Sequence, residues 1–141
     1  MSNIGRLYAM AVILGLIAGL STWRAHSAEY PAKYLSNYDG DSIRVEINGR
    51  NEAVRLSGVD SAEIRGKCQA ERELAIRARD FTRTWATRST LTLTTGKRER
   101  EKYGRLLGEL TNTEGESLSD KLVEAGLAVR WTGKRFQHWC D

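Results

Sequence analysis

Asn48-Gly49 stands between two runs of alternating apolar residues, and no other stretch restricts the fold of this chain as tightly. Ile43, Val45 and Ile47 alternate with Arg44 and Glu46 before it, and Val54 and Leu56 resume the alternation after it. A period of two puts the apolar side chains on one side of a half-buried strand. A two-residue Asn-Gly link supplies positive φ at both turn positions, so the two runs are expected to fold back on each other as an antiparallel hairpin.

Elsewhere the period changes. Ala28 to Asn37 reads as a lead-in segment, and Gly58 to Lys67 as a loop rich in charge and small residues. From Gln69 to about Thr87, the residues Ala70, Leu74, Ala78, Phe81 and Trp85 recur at spacings of three and four, which predicts an amphipathic helix with that apolar face. Strands are expected at Leu91–Leu93 and Tyr103–Leu110, with a Thr113-Glu114-Gly115 turn after the second. A short helix from Leu118 to Ala125 has Ser117 as its N-cap and Gly126 as its stop, and Leu127, Val129 and Trp131 suggest a last extended piece. This order predicts an α+β domain with a small, mostly antiparallel sheet or barrel. Periodicity alone leaves a five-stranded Greek-key barrel and an open sheet as alternatives.

The amino terminus differs in kind. Arg6 is followed by an apolar run from Leu7 to Leu20 and then by small and polar residues to Ser27. Positive, apolar, small-polar is the layout of a secretory signal peptide, and the run falls short of the roughly 20 residues that span a bilayer. Residues 1–27 are therefore expected to be a cleaved leader, with Ala25 and Ser27 at the cleavage positions and residues 28–141 as one secreted or periplasmic domain; an uncleaved signal anchor and an ordinary buried helix are the alternatives. No cysteine lies near the cleavage point, so no lipid or membrane anchor is expected on the mature chain. Of 22 basic residues, Arg6 and Arg24 fall in the leader, so the mature chain carries 20 against 18 acidic residues, a net +2. That value neither demands nor excludes nucleic acid, although Lys97, Arg98, Arg100, Lys102 and Arg105 cluster, interrupted by Glu99 and Glu101. Cys68 and Cys140 are an even pair in an oxidising compartment, where a disulfide is expected; two free thiols or pairing between chains are the alternatives. Two cysteines and His138 do not readily complete a closed zinc site.

Three segments concentrate acid and arginine where the strand pattern breaks: Asp39-Gly40-Asp41-Ser42, Arg55 to Glu63, and Glu101-Lys102-Tyr103-Gly104-Arg105. Singly, each has a bland reading as a turn or a solvated strand end. Together, in this order around a helix, they resemble the staphylococcal (micrococcal) nuclease family, whose pattern is a DGDT strand start, an R-x-x-G/L-V/I-D-x-P-E loop and a DKYGR strand. Residues 66–75 and 122–128 add to the likeness, which runs from about Tyr38 to Leu127. The resemblance implies a five-stranded OB-type Greek-key barrel with one long and one short helix, and a phosphodiesterase acting on DNA and RNA as an endonuclease that leaves 3′-phosphate ends.

It also implies a role for each matching residue. Asp41, Asp60 and the carbonyl of Ser61 would be ligands of Ca²⁺, a cation that takes hard oxygen donors. Glu63 would act as general base, and Arg55 and Arg105 would flank the scissile phosphate. Asp39 would be a supporting acid, and Lys102 and Tyr103 would contact the rest of the nucleotide. The set is chemically coherent: a phosphodiester gains negative charge as water attacks, and a divalent cation and two arginines offset that charge where it develops. A monomer is expected, with no stable protein partner and no cofactor beyond the metal.

Departures from the family pattern are Ser42 for threonine, Glu101 for aspartate, and Ala62 for the proline just before the expected base. Proline restrains both itself and its neighbour, so Ala62 puts the placement of Glu63, and with it the rate, in question. The chain ends at Asp141, and the long C-terminal helix of the best-known members is not expected. The rival reading is a non-catalytic OB-type module that binds nucleic acid; a third is an exported structural or envelope protein.

Overall fold

A computed structural model describes residues 27–141. The expected leader therefore lies outside the described residues except for Ser27. Seven strands and two helices follow in the order β1 (Ala28–Asn37), β2 (Ser42–Ile47), β3 (Arg50–Leu56), β4 (Val59–Ser61), α1 (Gln69–Ala86), β5 (Leu91–Arg100), β6 (Leu106–Thr111), α2 (Leu118–Glu124) and β7 (Ala128–Arg130). The β2–β3 hairpin forms in the register its alternation dictates, Ser42 opposite Arg55 and Ile47 opposite Arg50, around Asn48 at φ 51° and Gly49 at φ 76°. Its apolar face closes into a barrel of order β1-β2-β3-β6-β5, with β3 and β6 parallel and every other pair antiparallel. Closure removes both sheet edges, the usual solution for a small sheet with one apolar face. Ile43, Val45, Val54, Leu56, Leu93 and Leu110 fill the interior and are essentially inaccessible to solvent.

Several elements depart from the sequence reading, each for a physical reason. The lead-in segment is the strand β1: Ala28, Tyr30, Ala32 and Tyr34 alternate inward, but two alanines and a proline among charges give a weak periodic signal. Val59–Ser61, read as loop, pairs with Ala128–Arg130, Ser61 and Ala128 standing 67 positions apart in sequence, a contact that local pattern does not encode. Strand β5 runs on to Arg100, and β6 starts at Leu106 rather than Tyr103. The residues between form a turn organised by Glu101, whose Oε1 accepts the backbone N–H groups of Tyr103 and Arg105 at 3.0 Å each, with Gly104 at φ 83°.

Helix α1 spans the expected residues, but its buried face is Glu71, Ala75, Ala78, Thr82, Trp85 and Ala86, with Leu74 and Phe81 half-buried and Ala70 exposed. The face is turned because two polar residues find buried partners. Thr82 Oγ1 donates to the Gly40 carbonyl at 2.7 Å, and Glu71 Oε2 accepts the Lys67 N–H at 2.8 Å. Such satisfied groups are buried at little cost. The short helix α2 forms with Ser117 Oγ accepting the Asp120 N–H at 3.1 Å and with Gly126 at φ 69° after its end. Among the described residues, no helix is long and apolar enough to cross a membrane.

Candidate active site

The turn from β1 into β2 is built by Asp39. Its Oδ1 accepts the N–H groups of Asp41 at 3.1 Å and Ser42 at 2.8 Å, which fixes the direction in which Asp41 projects. Asn37 Nδ2 braces the same turn by donating to the carbonyls of Asp39 at 2.8 Å and Arg79 at 2.9 Å. Gly40 lies between the barrel and α1. A Cβ there would sit 2.8 Å from Ala78 Cβ and 3.1 Å from Ser61 Cβ, so only glycine allows the turn, the helix and β4 to meet this closely.

Pairing of β4 with β7 presents Asp60 and Ser61 beside that turn. Asp41 Oδ2 accepts the Ser61 N–H at 2.8 Å and lies 2.7 Å from Arg55 Nη1. The other nitrogen, Arg55 Nη2, lies 3.2 Å from Asp60 Oδ1. Both aspartates are almost wholly enclosed, their side chains 5% exposed against 18% for Arg55. Arg55 thus bridges the two acids instead of standing beyond them towards a substrate. Burial pushes the Asp41 carboxyl up to about 7; Arg55 opposes this, the neighbouring Asp39 carboxylate reinforces it, and the Ser61 N–H and Asp60 act more weakly in opposite senses.

This pocket therefore holds more buried carboxylate than its one guanidinium can satisfy. Ser61 Oγ, also buried, has no hydrogen-bond partner among the described residues. An all-oxygen donor set with surplus negative charge is what a hard divalent cation such as Ca²⁺ requires, so these residues fit that group. Elsewhere among the described residues Cys68, Glu71 and Cys140 also lie together, but both sulfurs are joined in a disulfide and the group is not a metal site.

Two residues past β4, Glu63 enters a tight loop closed by a Gly66 N–H to Glu63 carbonyl hydrogen bond of 2.9 Å. Glu71 fills the loop from below, accepting the Lys67 N–H and, at 3.5 Å, the Glu63 N–H; a Cβ on Gly66 would lie 2.5 Å from its carboxyl carbon. Ala62, in the position without proline, is completely buried. Cys68 closes the loop as the N-cap of α1 and is bonded to Cys140, 72 residues on. On the facing side, Arg105 Nε pairs with Glu101 at 3.3 Å and its Nη1 donates to Ser42 Oγ at 3.4 Å.

Asp41, Arg55, Asp60, Glu63, Arg105, Lys102 and Tyr103 line one open cleft of about 490 Å³. Tyr103 is 73% exposed, with Lys102 Nζ 4.9 Å from its ring centre. Asp39 supports the cleft through its turn, as described. The cleft also contains residues that sequence reasoning did not single out. Trp131 and Arg135 come from the segment after β7, Arg135 is ion-paired with Glu63, and the Phe136 N–H donates to Asp60 Oδ2 at 2.9 Å. The sequence signals for that segment were Trp131, read as the end of a last extended piece, and Cys140, which ties the segment to the Glu63 loop.

A sequence model described as "Staphylococcal nuclease homologue" matches residues 53–138. The thermonuclease of Staphylococcus hyicus is 32% identical over 111 residues, covering 79% of this chain and 63% of that protein. The thermonuclease of Staphylococcus intermedius is 32% identical over 90 residues, 64% of this chain and 53% of its own length. An uncharacterized endonuclease of Escherichia coli O157:H7 is 25% identical over 125 residues, 84% and 72% respectively. The chain thus spans between 53% and 63% of the length of the two thermonucleases.

Proposed function

The chain belongs to the staphylococcal nuclease family, and from that membership and the residues gathered in its cleft we propose that it hydrolyses phosphodiester bonds of DNA and RNA in a Ca²⁺-dependent reaction. The observation that carries the reading is the convergence of Asp41, Asp60, Arg55, Arg105 and Glu63 on one open cleft. A module that only bound nucleic acid would need the cations and the exposed Tyr103, but not buried carboxylates facing an anionic ligand.

In this reading Asp41, Asp60 and the backbone carbonyl of Ser61 would hold the cation, with Asp39 supporting Asp41. When bound, Ca²⁺ supplies positive charge beside the phosphate and lowers the pKa of water near it. Arg55, which spans the two aspartates on one wall of the cleft, would pair with the phosphate from that side. Arg105 approaches from the opposite wall, and each guanidinium can pair with two phosphate oxygens. Glu63 accepts the proton of the attacking water. Tyr103 offers an exposed ring for an unstacked base and Lys102 a contact for a neighbouring phosphate, which favours single-stranded or breathing substrates. The domain is proposed to be exported as residues 28–141 after loss of the leader, and to act as a monomer.

The ligand assignment leads to a specific expectation. Asp41→Asn or Asp60→Asn should weaken Ca²⁺ binding first, so that activity partly returns at high Ca²⁺. Calorimetric titration of each variant, beside activity measured across Ca²⁺ concentrations, reads both effects. Activity that fell equally at all Ca²⁺ concentrations, with unchanged binding, would remove these residues from the ligand set. The function itself is tested by end-group analysis of digested oligonucleotides. The proposal expects 3′-phosphate and 5′-hydroxyl ends; products with 5′-phosphates and free 3′-hydroxyls would rule the mechanism out.

A further inference from the structure

Residues 131–141 form neither helix nor strand, yet the segment is tied at its start, middle and end. The Trp131 N–H donates to the Gly58 carbonyl at 2.9 Å, the Phe136 N–H donates to Asp60 Oδ2 at 2.9 Å, and Cys140 is bonded to Cys68. Phe136 stacks edge-on against Trp139, ring centres 4.7 Å apart, which stiffens the stretch between the last two ties. Arg135 lies between the first two ties and is ion-paired with Glu63 Oε1.

We propose that Arg135 is a positioning residue for the reaction, holding the Glu63 carboxylate in the orientation from which it takes the proton of the attacking water. The proposal rests on the reading of Glu63 as general base. The loop holds the Glu63 backbone through the Gly66 N–H and Glu71, but the side chain is 37% exposed, so the backbone leaves its carboxylate free to turn. Arg135 supplies the missing restraint from outside the loop. Its guanidinium engages Oε1, leaving Oε2 as the oxygen that can receive a proton. The same segment engages Asp60 through the Phe136 N–H, so one short stretch of chain sets the relative placement of a cation ligand and the base. The disulfide joins that stretch to the Glu63 loop five residues past Glu63, so loop and restraint move together. A carboxylate held within a few tenths of an ångström of its working position contributes to rate through preorganisation.

Arg135→Ala is expected to lower kcat about tenfold with little change in KM, in the Ca²⁺ midpoint measured by calorimetry, or in the thermal midpoint. Arg135→Lys should recover part of the rate, because it keeps the positive charge without the planar fork. Glu63→Gln/Arg135→Ala should be no slower than Glu63→Gln alone, since a residue acting only through Glu63 has nothing to add once that carboxylate is gone. An additive loss in the double variant, a faster enzyme on removing Arg135, or a raised KM at unchanged kcat would each overturn the proposal. The first would mark a general structural role, the second an obstruction of the base, and the third a direct phosphate contact. A Glu63→Gln enzyme that kept the wild-type rate would instead show that Glu63 is not the base, a failure of the underlying reading that removes the proposal with it.

Discussion

Glu63→Gln or Arg105→Lys is expected to lower the turnover rate by at least about 10² while leaving the circular dichroism spectrum unchanged. Neither side chain belongs to the core. The Arg105 side chain bonds to Glu101 and Ser42 at the cleft wall, and that of Glu63 to Arg135 in the cleft. What each is proposed to meet is charge or a proton that appears only as the phosphate is attacked. The loss should therefore fall on kcat, with KM moving less. Lysine keeps the charge of Arg105 but cannot present two parallel N–H groups to a phosphate, so a conservative change is expected to behave as a severe one. Steady-state kinetics on a single-stranded oligonucleotide at saturating Ca²⁺ measures the effect. Wild-type rates in both variants would leave the cleft as a binding surface and bring the non-catalytic reading forward.

The second large effect concerns stability. Cys140→Ser opens a loop of 72 residues, and the chain-entropy model assigns such a closure about 4 kcal/mol. A loss of that size is about 10³ in the folding equilibrium. Urea denaturation of the oxidised wild type and of the variant should show a clear drop in midpoint, with the wild type under reducing agent behaving like the variant. Coincident midpoints for all three would mean that the bond does not restrain the unfolded chain, and mass spectrometry of alkylated, non-reduced protein would then ask whether it forms in solution.

Much of this architecture could be read from short-range pattern. The Asn48-Gly49 hairpin, the span of α1 and the capping of α2 by Ser117 and Gly126 all depend on residues within one or two turns of each other. The acids and arginines of the cleft were legible too, because three segments carry them in a recognisable order. What could not be read were features made by partners distant in sequence. Asp60 and Ser61 lie on a strand only because residues 128–130 return to pair with them. The buried face of α1 includes Glu71 and Thr82, polar residues that a hydrophobic period cannot select, because their partners are backbone groups of the Glu63 loop and of Gly40. Tyr103 and Arg105 were read as strand together with the residues that follow, whereas the Glu101 carboxylate folds them into a turn. Arg55 illustrates the limit from another side. Sequence pattern can bring an arginine to the cleft, but its position across Asp41 and Asp60 follows from two buried charges that need a counter-ion.

That counter-ion question leads to the most direct test of the account. Purified residues 28–141, incubated with single-stranded DNA, duplex DNA and RNA in Ca²⁺ and separately in excess chelator, should degrade all three with Ca²⁺, single strands fastest, and none with chelator. Binding without cleavage in the presence of Ca²⁺, or equal cleavage in chelator, would contradict the assignment of this cleft as a calcium-dependent phosphodiesterase site.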